Sequence, residues 1–242
     1  MIPNISAYLS SIRPYRWMSI HEMLSKTGLS FEIIIVGPND PNFSLPKEIN
    51  FYKSDVKPSQ CFHAAATMST GETLLQIVDD MEYQDGGIEA MYRAVIEKDN
   101  IMATCKYHMN GISTADFQNM AGSSDSSCYP LPFLPVCGLY RRHVYSDMGG
   151  LDRRFNGVMS ELDLYMRMSV YGYGTHFVDF IGNENRTYQE IESQSLYQKF
   201  ASKDRPEFVR LWSTNGNLYP IRRDIVRKYE NKNLLTENQN FK

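Results

Sequence analysis

Asp79, Asp80 and Glu82 close the apolar run Thr73-Leu74-Leu75-Gln76-Ile77-Val78, and three carboxylates so near one another are costly to assemble. Like charges at this spacing raise each other's pKa unless a hard cation or several hydrogen-bond donors compensate them. In an open α/β sheet the carboxyl end of a strand is also where ligands settle. The cluster therefore reads as a cation site or, equally, as a solvated strand end that opens a turn. A second acidic point lies at Ser160-Glu161-Leu162-Asp163. Ser160 is a good N-cap there, and Asp163 stands where it completes a capping-box-like helix start. An acid in that first turn is favoured by the helix dipole whether or not it does chemistry.

The elements that must carry these acids alternate in type. Ile5 to Leu9 reads as a strand and Ser10-Ser11-Ile12-Arg13-Pro14 as a loop, after which Trp17, Ile20 and Leu24 recur at helical spacing until Gly28. Phe31 to Val36 is a β-branched run suited to a strand buried on both faces, broken by Gly37-Pro38-Asn39-Asp40. Lys57-Pro58-Ser59 opens a helix with Cys61, Ala64, Ala65 and Met68 on one face. The acidic strand follows, then a helix with Ile88, Met91 and Val95 aligned, and a strand at Ile101 to Cys105. The pattern predicts an α/β fold with a mostly parallel central sheet covered by helices on both faces. Residues 107 to 132 lose periodicity and read as a long loop. Val136 to Arg141 reads as a strand, His143 to Met148 as a short helix, Glu161 to Tyr171 as a helix and Thr175 to Phe180 as a strand. The remainder, punctuated by Pro206 and Pro220, reads as a helical extension over 186–230 and a disordered tail over 231–242.

Composition narrows the function classes. At 242 residues, 42% hydrophobic and 12% aromatic, the chain suits one large domain with a tail. A net charge of -3 gives no reason to expect nucleic acid. No stretch approaches the roughly 18–20 apolar residues that span a bilayer, and Met1-Ile2-Pro3-Asn4 begins no signal peptide, so a cytoplasmic protein, at most peripheral to a membrane, is expected. Cys61, Cys105, Cys128 and Cys137 form no C-x-x-C pair and suggest neither zinc nor redox chemistry.

Four segments in order carry a resemblance: Ser69-Thr70-Gly71-Glu72, Val78-Asp79-Asp80-Met81-Glu82, Arg141-Arg142 through Gly149-Gly150-Leu151-Asp152-Arg153-Arg154-Phe155, and Glu161-Leu162-Asp163-Leu164-Tyr165-Met166-Arg167. Over roughly residues 3–185 the chain resembles the family 2 glycosyltransferases of GT-A, Rossmann-like fold. The resemblance implies a catalytic domain over 1–185, with a nucleotide-binding half to about residue 106 and an acceptor half after it. It implies transfer of a sugar, with inversion, from a nucleotide-diphosphate sugar, first of all a UDP-sugar, to the hydroxyl of a glycan, lipid-linked or protein acceptor. The cofactor implied is Mn2+ or Mg2+, which neutralises charge on the departing diphosphate. Asp80 and Glu82 would hold the metal, with Asn185 near the place of a family histidine, and Asp79 would lie near the ribose. Ser10, Ser11 and Arg13 follow the first strand where the family's loop approaches the nucleotide, with Arg13 and Pro14 the residues that match, and Gly138 falls where a small residue leaves room beside the donor sugar.

The same resemblance maps the general base onto Glu161, because Ser160-Glu161 stands where the family has Glu-Asp. A carboxylate there accepts the acceptor's hydroxyl proton as the oxygen attacks the anomeric carbon. Two departures stand out: Gly37-Pro38-Asn39-Asp40 lacks the family's base-recognising Asp placement, and Cys61-Phe62-His63 replaces its Ala-Arg-Asn. His63 and His176 read as packed residues. Trp212 reads as a cover for the acceptor side or as a helix anchor. Two alternatives are a non-catalytic nucleotide-sugar-binding module of the same fold and a sugar nucleotidyltransferase. The second normally carries a Gly-rich basic loop that Ser10 to Pro14 lacks.

Overall fold

Trp17, Ile20 and Leu24 bury one stripe of the first helix, and the run from Ile33 to Val36 is buried on both faces of its strand. Those two patterns start a β-α-β unit. The computed structural model describes residues 2–113, 137–185, 191–214 and 217–218. Strand β1 (Ile5–Ser10) leads through a 3-10 turn (Pro14–Arg16) into α1 (Trp17–Ser25) and β2 (Phe31–Gly37). Then come β3 (Ile49–Lys53), α2 (Pro58–Met68), β4 (Thr73–Gln76), β5 (Met81–Tyr83), α3 (Gly87–Glu97), β6 (Ile101–Met109) and β7 (Ile112–Ser113). After the segment 114–136 the chain continues as β8 (Leu139–Arg141), α4 (Arg142–Asp147), α5 (Ser160–Val170), β9 (Gly174–Glu184), α6 (Ile191–Trp212) and the hairpin β10 (Ser213–Thr214) and β11 (Asn217–Leu218).

The main sheet runs β3-β2-β1-β4-β8-β6-β9-β5, with β7 on the side of β6. The chain is α/β, and its sheet is mixed. Ladders β1–β2, β2–β3, β1–β4 and β6–β9 are parallel, whereas β4–β8, β6–β8, β5–β9 and β6–β7 are antiparallel. Chain length accounts for part of this. Only residues 77–80 separate β4 from β5, too few for the crossover that a parallel neighbour needs, so β5 leaves β4 and pairs with β9 at the far edge. The long apolar run through Val78 is therefore no single strand: it stops at Gln76, and Asp79-Asp80 form a turn, closed by Met81 N–H on the Val78 carbonyl at 3.1 Å.

Strand β3 has no counterpart in the sequence reading, because on this edge strand only Ile49 is buried and Tyr52 and Lys53 face solvent. Strand β6 extends to Met109, four residues beyond the expected end, into the stretch read as loop. Residues 114–132 of that loop, residues 186–190, 215–216 and 219–230 of the expected extension, and the tail 231–242 lie outside the described residues. Helix α6 is continuous through Pro206, and with α5 it builds a small second core of Phe155, Met166, Phe208, Leu211 and Trp212. No helix among the described residues is long and apolar enough to cross a membrane.

Candidate functional site

Strand order reverses direction beside β1: the chain moves outward through β2 and β3, then returns to place β4 on the other side. The loops that leave β1 and β4 therefore face each other at a topological switch point, where open α/β sheets take their ligands. There the Ser11 hydroxyl donates to Asp79 Oδ2 at 2.5 Å, and the Arg13 guanidinium pairs with Asp79 and reaches Asp80 Oδ2 at 3.1 Å. Trp17 Nε1 and the Arg13 backbone N–H both donate to Ser11 Oγ, at 2.8 and 3.1 Å, which fixes its hydroxyl toward the acid. Gly37 makes the approach possible, since a Cβ there would stand 2.0 Å from the Ser11 carbonyl oxygen. Asn39 donates its amide to the Ile12 carbonyl at 2.7 Å, so the loop after β2 props the loop after β1.

Burial pushes the Asp79 carboxyl up, while Arg13 and Ser11 hold it down. Charge compensation at this pair comes from a cation of the chain itself, a solution that the sequence reading did not assign to Arg13. Ser10 points elsewhere, toward the Cys61 thiol on α2, a group that burial raises to about 11.

Across the β5–β9 ladder, the Asn185 N–H donates to the Asp80 carbonyl at 2.8 Å, and Glu82 pairs with Asn183. Alternation leaves Glu82 exposed while Met81 and Tyr83 are buried, and the Asn183 side chain donates to Asn185 Oδ1. Asp80, Glu82 and Asn185 thus belong to one end of one ladder. Glu184, between Asn183 and Asn185, faces the other way and accepts from the Tyr107 hydroxyl. Among the described residues no three His, Cys, Asp or Glu side chains gather into a cation site. A magnesium-like ion takes oxygen donors and commonly needs only one or two carboxylates beside a substrate's phosphates; the carboxylates at this end of the ladder are Asp80, already reached by Arg13, and the exposed Glu82.

The second acidic point comes to the same place. Gln76 N–H donates to the Gly138 carbonyl at 3.0 Å, so residues 137–138 run antiparallel beside the exit of β4. Tyr165 on α5 donates its hydroxyl to Gln76 Oε1 at 3.0 Å, as does Tyr8 at 2.9 Å. Glu161 lies one helical turn before Tyr165 on the same face of α5. Both centres act on Cys137: burial raises its thiol, and the carboxylates of Asp80 and Glu161 push it further up. Burial likewise raises the Glu161 carboxyl, which Ser160 Oγ contacts at 3.2 Å.

Other expectations meet specific findings. Ser160 is not the cap, since the Asp163 N–H already bonds the Met159 carbonyl at 2.9 Å and Ser160 Oγ instead meets Ser59 Oγ at 3.0 Å. Asp163 does not close a capping box. It accepts from Arg167 Nε at 2.9 Å and Trp212 Nε1 at 2.8 Å, and Arg167 in turn donates to the Met148 and Gly150 carbonyls, which ties α5 to the Gly149-Gly150-Leu151 turn. Trp212 is therefore an anchor. A Cβ on Gly138 would come within 2.7 Å of Met102 Sδ, so the missing side chain is matched by packing. His63 is a core residue, its ring bonded through Nδ1 to the Tyr145 hydroxyl at 2.7 Å and its pKa lowered by burial to about 4. A pocket of about 270 Å³ between α1 and the β5–α3 loop, lined by Met23, Lys26, Asp85 and Glu89 among others, contains none of these candidate residues.

Comparison of the chain with models of known protein families gives no match, and comparison with curated proteins gives none either.

Proposed function

We propose that the chain is an inverting glycosyltransferase that moves a sugar from a nucleotide-diphosphate sugar, UDP-linked in the first instance, to an acceptor hydroxyl. The observation that supports this reading is that the carboxylates of Asp80 and Glu161 both act on the Cys137 thiol, which leaves an acid pair for the diphosphate and a separate carboxylate for the acceptor. In the GT-A arrangement that the motifs resemble, those two roles are divided in just this way. Glu161 takes the proton of the acceptor hydroxyl while its oxygen bonds to the anomeric carbon and the bond to the diphosphate oxygen breaks. Its raised pKa brings the carboxyl closer to working pH and makes it a stronger base. Arg13, held across Asp79 and Asp80, brings a positive charge to the side where the diphosphate leaves. Asp80, Glu82 and Asn185 would hold a Mn2+ or Mg2+ ion, which when bound neutralises the leaving diphosphate.

A second reading, a binding module that takes a nucleotide-sugar without turning it over, is favoured by the same Arg13 contact, because the acid pair is already compensated without a metal. One experiment separates the two. Nucleotide-sugars are screened for slow hydrolysis and for transfer in the presence of Mn2+, with wild type and Glu161→Gln side by side. The transferase reading expects donor binding in both and transfer lost by a factor of about 100 or more in the variant. Binding with no turnover in either protein leaves the module.

A further inference from the structure

We infer that Asp204, on the helix beyond the stretch carrying the family resemblance, is the positioning residue of Glu161. The inference rests on the reading of Glu161 as the base and adds what places it. Asp204 is 1% exposed and accepts from the backbone N–H groups of Asn156 at 2.9 Å, Gly157 at 2.8 Å and Val158 at 3.0 Å, and from the Asn156 side-chain amide at 2.6 Å. Those three residues are the run into α5. Met159, which follows them, is held at φ 68°, a left-handed conformation that a side chain this large adopts only when its surroundings over-determine it. The Asp204 carboxylate fixes the chain immediately before that residue, and Glu161 stands two residues after it.

Packing reinforces the grip. A Cβ on Gly157 would lie 2.6 Å from the Phe200 ring, so α6 rests directly on the loop, and Trp212 at the other end of α6 holds the first turn of α5 through Asp163. Asp204 also acts on Glu161 through charge: a negative group facing a second carboxyl disfavours its ionisation. The other groups facing Glu161 are Ser160 and Tyr165 on its own helix and Cys137 at the entry to β8, with Asp80 beyond the thiol. Asp204 therefore sets where the Glu161 carboxyl stands and, after burial, adds to the upward push on its pKa.

The test follows the Glu161 carboxyl by carbon-13 NMR in the full-length protein, assigned with Glu161→Gln, together with amide hydrogen exchange of residues 156–158. Asp204→Asn is expected to lower the Glu161 titration midpoint and to speed exchange at those amides about tenfold or more. Arg210→Ala, which breaks only an exposed pair with Glu207 on α6, is expected to leave both readouts in place. An unmoved midpoint in folded Asp204→Asn, or equal shifts in the two variants, overturns the inference. If Asp204→Asn does not fold, Asp204→Glu decides: the charge is kept and the arm lengthened, so the midpoint stays raised while exchange quickens, and unchanged exchange overturns it. None of these readouts needs a donor sugar, so an inactive wild type would count against the proposed transfer and leave this result standing.

Discussion

Arg13 and Glu161 carry opposite kinds of cost. Arg13 offsets two carboxylates with side chains only 4% and 7% exposed, and its removal leaves them facing each other. Arg13→Ala is expected to cost about 2–4 kcal/mol, the range for breaking a largely buried pair, measured by urea unfolding at pH 7. Without the guanidinium the Asp79 pKa rises further, so the variant's deficit should shrink as the pH falls and that carboxyl protonates. Glu161 behaves the other way. Its folded pKa lies above the ordinary value of 4.5, so the folded form takes up a proton first as pH falls. Stability from this group is full below the ordinary carboxylate range and is lost as pH rises through the folded value. Glu161→Gln should therefore stabilise the protein at pH 7, by about 0.5–2 kcal/mol, and the gain should fade toward pH 4. A thermal melt series across that range reads it, and a destabilised variant at pH 7 would show that Glu161 is a structural acid.

At the level of elements, α5 is held by Ser160 on Ser59, Tyr165 on Gln76, Asp163 on Trp212, and Arg167 on the Met148 and Gly150 carbonyls. Tyr165→Phe removes one of two hydroxyl donors from Gln76 and is expected to cost about 1 kcal/mol, with acceptor KM and turnover changing more than donor binding, because the helix that carries Glu161 loses its tie to β4. Steady-state kinetics with donor and acceptor varied separately check it. Much of this frame was legible in the chain. The stripe Trp17, Ile20, Leu24, the β-branched run at Phe31 and the aligned Ile88, Met91, Val95 each gave a helix or strand where expected, because a buried face imposes a period. The edge strand at Ile49 was not legible, since it buries too little to leave one. Sheet direction was not legible either: nothing local distinguishes β8 and β5 as antiparallel, and only the shortness of 77–80 and the partners available decide it. The acids at Asp79, Asp80 and Glu161 were visible as types, whereas Arg13, Asn39 and Asp204 act on loops distant in sequence, and such pairings leave no spacing to read.

For the molecule as a whole, the switch point at β1 and β4, the β5–β9 ladder and the start of α5 are contributed by separate stretches of chain, and Asp79 and Asp80 form the turn that follows β4, the strand bordering β1 and β8 alike. A ligand that bridges these parts ties them together and should raise global stability. Binding to the folded form alone contributes about 2.7 kcal/mol at a hundredfold excess over Kd. The acid pair already has a cation in Arg13, and among the described residues no three His, Cys, Asp or Glu side chains gather, so Mn2+ by itself should move the melting temperature hardly at all. Mn2+ with UDP or GDP brings phosphate oxygens to complete the ion's shell and should raise it by several degrees. Asp80→Ala should abolish that joint effect, while Glu161→Gln should keep it, since the base has no part in holding the diphosphate. Differential scanning fluorimetry of the three proteins with metal, nucleotide and both gives the pattern directly. Equal shifts with metal alone and with the pair would mean that the ion binds away from Asp80, and the proposed division of labour between the two acidic centres would fall with it.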